Sequence, residues 1–106
     1  MRRPAAVLSL ATALLAAGCG TGGIAKGGDP GKGKQLFQGK CGGCHTLADA
    51  GTSGTVGPSL DAAKPSASLV TERVTNGLGG MPPFAGSLSG EEIAAVAAYV
   101  ATAARG

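Results

Sequence analysis

Tryptophan is absent, and the aromatic residues stop at Phe37, Phe84 and Tyr99. There is a single histidine, His45, and there are only three cysteines, Cys19, Cys41 and Cys44. A chain of 106 residues with so few bulky apolar side chains buries a modest share of its surface and needs a staple: a disulfide, a metal or a large covalently held apolar group. It has room for one small domain. No excess of either charge is present: from Cys19 onward seven Lys or Arg stand against six Asp or Glu, a balance of +1. Without a clustered basic surface, nucleic-acid binding is excluded as an expectation. No internal repeat occurs, and no stretch alternates convincingly as a strand. The longest apolar run, Ala5 to Ala17, falls short of the about 20 residues that cross a bilayer as a helix.

That run is an address instead. Arg2 and Arg3 precede it, and the small residues Ala16, Ala17 and Gly18 stand at its end, as in an export signal. Residues 1–18 are therefore read as a signal peptide. The stretch Leu15-Ala16-Ala17-Gly18-Cys19 resembles a bacterial lipoprotein signal, which implies lipidation of Cys19 and a membrane anchor. Ala16 stands where that signal has a larger aliphatic residue, and ordinary cleavage before Cys19 is the competing reading. Residues 19–30 are Gly-rich and read as a tether; about a dozen such residues span on the order of 20 Å as a coil. The domain proper is assigned to residues 31–106. The expected location is outside the cytoplasmic membrane, in the periplasm or at the cell surface.

The odd cysteine count resolves if Cys19 takes a lipid, because Cys41 and Cys44 then form a pair. They stand in Cys41-Gly42-Gly43-Cys44-His45, the C-x-x-C-H pattern of covalent haem attachment. Two thiols on a tight turn can add to the two vinyl groups on one side of a porphyrin, and the next residue places an imidazole under the iron. A bare disulfide leaves His45 unexplained. A thioredoxin-like pair needs a βαβ context. Structural zinc needs four ligands, and only Cys19 remains beyond the tether. One covalent haem c, with its iron, is the expected cofactor.

The second axial ligand follows by elimination. With His45 the sole histidine, a bis-histidine iron within one chain is excluded. Met1 leaves with the signal, so Met81 is the only methionine of the mature chain. It lies in Gly77-Leu78-Gly79-Gly80-Met81-Pro82-Pro83-Phe84, where glycines let the backbone approach and prolines stiffen it. A core gap-filler is the plainer role for a methionine; in this context it is read as the iron ligand.

These motifs in order resemble the class I bacterial cytochromes c, over about residues 31–106. Gly33 and Phe37 match the family's first helix, and Tyr99 the aromatic of its last. Gly57-Pro58-Ser59-Leu60 matches the proximal segment, so the resemblance implies that the Pro58 carbonyl accepts a hydrogen bond from His45. It further implies an all-α fold, with about three main helices and loops wrapped around one haem, and a function in electron transfer. Electrons would leave through the haem edge near the attachment motif. Redox proteins are the expected partners: a quinol-oxidising complex or dehydrogenase as donor, a terminal oxidase or reductase as acceptor. The chain is expected to be a monomer and not an enzyme. A haem-based ligand sensor or peroxidase-like enzyme with a displaceable Met81 is the alternative; a structural lipoprotein without haem is a third.

The residues also predict the helices. Asp29 and Pro30 can open one that runs to about Lys40, weakened by Gly31 and Gly33 at roughly 1 kcal/mol each against alanine. A second fits Ser66 to Asn76, with Leu69, Val70 and Val74 on one side and Asn76-Gly77 as its stop. The third starts at Ser89, with Glu92 completing a capping box, Leu88 and Ile93 as a hydrophobic staple, and Ile93, Val96, Ala97 and Val100 at helical spacing. Lysines 26, 32, 34 and 40 lie early while Asp61, Glu72, Glu91 and Glu92 lie late. This polarity could steer docking; an ordinary solvated surface is the favoured reading.

Overall fold

The structure is a computed structural model, and it describes residues 28–106. The signal peptide, Cys19 and tether residues 19–27 lie outside the described residues. Helix α1 spans Pro30–Lys40; the Asp29 carboxylate accepts from the Gly31 amide at 3.0 Å, and Pro30 opens the helix. Two strands of two residues, β1 (Thr46–Leu47) and β2 (Thr52–Ser53), pair antiparallel around a 3-10 turn at Ala48–Ala50. A short helix α2 (Leu60–Ala63) follows, then α3 (Ala67–Asn76) and α4 (Gly90–Ala103). The architecture is mostly helical, as expected for a small class I cytochrome c fold, with the short α2 added between β2 and α3.

The strand pair is a departure from the expectation of no strands. Its pairs are too few to alternate, and a side chain closes it. Thr52 Oγ1 accepts from the Leu47 amide at 3.1 Å and donates to the His45 carbonyl at 2.9 Å.

The core forms where α1 and α3 pack on α4. Phe37, Val96 and Val100 are fully buried, and Val70, Val74 and Ile93 pack with them. Burying a side chain of this size stabilises by about 1.5–3 kcal/mol each. Gly33 lets α1 approach α4 closely: a Cβ there would overlap the Ala95 carbonyl and lie 2.8 Å from Tyr99 Cβ. One turn on, the Phe37 and Tyr99 rings meet at 6.2 Å with planes tilted by 58°, within the favourable range for edge-to-face contact. Tyr99 is fixed at its polar end by a 2.6 Å hydrogen bond to Asp49. At the start of α4 the capping box is complete: Ser89 Oγ accepts from the Glu92 amide at 3.0 Å and Glu92 Oε1 from the Ser89 amide at 2.9 Å. Leu88 and Ile93 are both buried at that corner. Among the described residues no helix is long and apolar enough to cross a membrane.

Candidate functional site

A cavity of about 440 Å³ opens beside this core, within the about 300–1,000 Å³ span of ligand sites. Its lining comes from α1 and the segment after it, the Val56–Pro65 stretch, α3, the α3–α4 loop and α4. Cys41, Cys44 and His45 form one side, and Met81 in the α3–α4 loop belongs to the same lining, as do Phe37 and Val100 from the core. Sequence neighbours and residues 40 apart thus meet on one surface.

The Cys41–His45 segment is a continuation of α1. Gly42 N donates to Phe37 O at 2.9 Å, and both Cys44 N and His45 N donate to Cys41 O at 3.1 Å. The chain coils tightly there and brings the two cysteines and the histidine to the cavity. Both thiols are unpaired, with Cys41 buried and Cys44 exposed. Burial pushes the Cys41 thiol up to about 11; Cys44 nearby adds to the rise and Lys40 partly offsets it.

His45 is seated by the loop that follows it. Its Nδ1 lies 2.7 Å from the Pro58 carbonyl. A carbonyl only accepts, so Nδ1 must carry the proton, and Nε2 is the ring nitrogen left to serve as a ligand. Gly57 N donates to Cys44 O at 2.7 Å. That contact presses the Gly57 backbone against the imidazole: a Cβ on Gly57 would stand 2.6 Å from His45 Cε1. Glycine is required here by close approach rather than by torsion.

Met81 sits at the end of a tight turn. Leu78 and Met81 exchange backbone hydrogen bonds of 3.0 and 2.9 Å. Gly77 before it takes φ 73° and ψ 175°, a region open only to glycine. Phe84 N donates to Val74 O at 2.7 Å and ties the turn back to α3.

The walls are apolar and the few charges are of one sign. Val56, Leu78 and Leu69 are the exposed large hydrophobic residues, at 83%, 64% and 42%, and all three line this cavity. Lys40 and Arg73 are its cationic residues, and no carboxylate lines it. Among the described residues no cluster of three or more His, Cys, Asp or Glu is arranged to hold a metal ion. The residues present therefore fit a planar apolar group better than a bare ion. They offer two thiols for covalent attachment, one imidazole nitrogen and one thioether for an iron, and two cations near any carboxylate the group carries.

Sequence reasoning brought Cys41, Cys44, His45, Pro58 and Met81 to the site, and all five line the cavity. It missed Thr52, which touches the site from behind. Thr52 Oγ1 holds the His45 carbonyl, and its methyl lies against Gly42, where a Cβ would be 2.5 Å from Thr52 Cγ2. No local signal marks such a residue, because both contacts are made across a loop.

The chain is similar to known c-type cytochromes. Residues 28–100 match the profile of the family described as cytochrome c oxidase, cbb3-type, subunit III. A cytochrome c6 of Tetradesmus obliquus is 38% identical over 84 residues, covering 70% of this chain and 90% of the relative. A cytochrome c6 of a Picosynechococcus species is 34% identical over 110 aligned positions, covering 90% of this chain and 91% of the relative. Among solved structures, the c-type cytochrome SorU from Sinorhizobium meliloti superposes with a TM-score of 0.66 at 49% identity, covering 70% of this chain and 88% of that one.

Proposed function

The chain belongs to the class I c-type cytochromes, and from that membership we propose that His45 and Met81 are its two iron ligands, that Cys41 and Cys44 hold the porphyrin, and that it shuttles single electrons between membrane-associated redox partners. Covalent haem c with iron and a role as an electron-carrier haem protein come with the family. One observation carries the finer reading: the 2.7 Å contact of His45 Nδ1 with Pro58 O, at a cavity that Cys41, Cys44 and Met81 also line.

When bound, haem c supplies a one-electron ferric/ferrous couple. The chain's residues decide how it is used. Pro58 fixes the His45 tautomer, aims Nε2 as a ligand and raises its basicity by accepting the Nδ1 proton's hydrogen bond. Met81 contributes a neutral thioether, which favours the ferrous state and raises the potential. With both ligands drawn from the chain, no coordination position is left for a substrate, and the chain needs no catalytic residue of its own. The apolar walls at Val70, Val74 and Val100 keep water out and disfavour the extra charge of the oxidised state. Donor and acceptor are redox proteins, a quinol-oxidising complex or dehydrogenase on one side and a terminal oxidase or reductase on the other. The chain is exported, works as a monomer, and is anchored by a lipid on Cys19.

Material exported by a host that attaches haem tests the proposal. Its mass should show one haem and, on Cys19, a lipid. Its optical spectrum should be low-spin, unresponsive to carbon monoxide, and titrate as one electron. Free Cys41 and Cys44 thiols in that material would sink the attachment. Ready carbon monoxide binding would favour a sensor or peroxidase-like role.

A further inference from the structure

The end of α4 and the loop after α2 are interlocked by two cationic side chains. The Arg105 guanidinium donates to three carbonyls: Ala101 O at 2.7 Å on its own helix, then Lys64 O at 2.6 Å and Pro65 O at 2.9 Å across the fold. Lys64 reciprocates. Its Nζ donates to Ala104 O at 3.3 Å and to Asp61 O at 2.7 Å. Ala104 is buried, so the lysine reaches a carbonyl at the edge of the core. Both cations also sit at the negative end of the α4 dipole.

The backbone of Lys64 is strained where this happens. Its φ of 47° makes it the one non-glycine residue with positive φ among the described residues. A residue with a Cβ keeps that conformation only where its surroundings over-determine it. Four hydrogen bonds from two side chains, two from Lys64 Nζ and two from Arg105 to the Lys64 and Pro65 carbonyls, do so here. Neither Lys64 nor Arg105 lines the cavity, but Leu60, Ala63 and Pro65 on either side of Lys64 do. The strained residue is thus the corner of one cavity wall, and the interlock presses that corner onto α4, which supplies Val96 and Val100 to the same lining.

We infer that Arg105 and Lys64 are positioning residues that hold the Leu60–Pro65 wall closed, exclude water from the cavity and thereby keep the reduction potential of the loaded protein high. The inference rests on the proposed function, since a potential is set here only if haem occupies this cavity. It goes beyond that function in assigning part of the tuning to residues that touch neither haem ligand. The physical route is solvent access: a wetter, more polar surround favours the more charged oxidised state.

Three variants of the full chain, matured with haem, test this: Arg105→Ala, Arg105→Lys and Lys64→Gly. Glycine adopts positive φ without strain, so Lys64→Gly removes the side-chain bonds while leaving the corner its conformation. Haem content by mass, potential by redox titration and amide exchange at Ala63 and Lys64 are read for each. Arg105→Ala and Lys64→Gly should keep one haem, speed exchange at those two amides roughly tenfold, the scale of one net hydrogen bond, and lower the potential. Arg105→Lys, which can restore one bond to the wall, should fall between them and the unsubstituted protein. A potential unchanged in both Arg105→Ala and Lys64→Gly, with haem content unchanged, overturns the inference and leaves the interlock purely structural. Lack of haem in the unsubstituted protein would bring down the proposed function instead, so the two failures are distinct.

Discussion

The loop after His45 and the loop around Met81 serve the same cavity but are built with different means. The His45 side is over-determined. Gly57 presses on the imidazole, Pro58 takes its proton's hydrogen bond, Thr52 holds its carbonyl, and the Ala48 amide is pinned at 2.8 Å by Asp61. The Met81 side relies on a single backbone bridge between Leu78 and Met81, one bond from Phe84 to Val74, and the torsion of Gly77. Its thioether has no donor or acceptor to fix it. An imidazole needs an oriented lone pair and a chosen tautomer, so the chain spends polar contacts there. A thioether is held by the stiffness of its turn and by packing against the core, so the methionine side has the fewer polar ties.

The largest effect should come from attacking the crowded side. In Gly57→Ala the added methyl would meet the His45 ring at 2.6 Å. The ring must then swing away from Pro58, and overpacking of this kind costs about 1–3 kcal/mol before any loss of ligation is counted. We expect haem content after export to fall severalfold. Full haem content with an unchanged potential would show that the imidazole is not gripped as described.

Met81→Ala should do less to the fold and more to the chemistry. The turn keeps its backbone bonds, so the protein should still carry haem, with a lower potential and new binding of carbon monoxide. An unchanged potential and spectrum would remove Met81 from the iron. A milder version strikes the backbone. Gly77→Ala places a Cβ 2.5 Å from the Met81 carbonyl at a φ of 73°, a strain of about 1–3 kcal/mol. It should lower the thermal midpoint and admit carbon monoxide partially, between the unsubstituted protein and Met81→Ala. A lowered midpoint with no change in ligand access would separate the loop's stability from its hold on the thioether.

The same contrast decides what could be read in advance. The start of α4 was legible because Leu88, Ser89, Glu92 and Ile93 lie within one turn, and the opening of α1 because Asp29 and Pro30 are adjacent. Leu69, Val70 and Val74 were placed on one helix side, and all three line the cavity; Leu69 stays exposed because it sits at the mouth. Cys41, Cys44, His45 and Met81 were found from short motifs and elimination. What was not legible depends on chain crossing. The β1–β2 pair has two residues per strand, too few for a periodic signal, and Thr52 closes it through contacts five and seven residues away. Arg105 and Lys64 are 41 apart, and nothing in either neighbourhood announces the other.

The smallest expected effect, in pH, separates the two sides without touching the site. Asp49 belongs to the turn between β1 and β2, and it ties the His45 side to the helices. Its carboxylate accepts from Tyr99 at 2.6 Å and lies 3.7 Å from Lys34 Nζ. The Tyr99 hydrogen bond chiefly, and the Lys34 charge after it, hold the Asp49 carboxyl below its ordinary range despite partial desolvation. A depressed pKa in the folded state means that the tie contributes stability above the unfolded value of about 3.9 and loses it as pH falls through the folded value. Amide exchange in residues 46–53 should therefore accelerate as pH drops below about 4, once corrected for the intrinsic pH dependence of exchange, while residues 77–84 show no matching change. Asp49→Asn keeps an acceptor for Tyr99 but has no charge to titrate, so in that variant the acid-induced loosening of 46–53 should vanish. If both loops loosen together in acid, or if Asp49→Asn retains the effect, the two sides of the cavity are coupled through something other than this carboxylate.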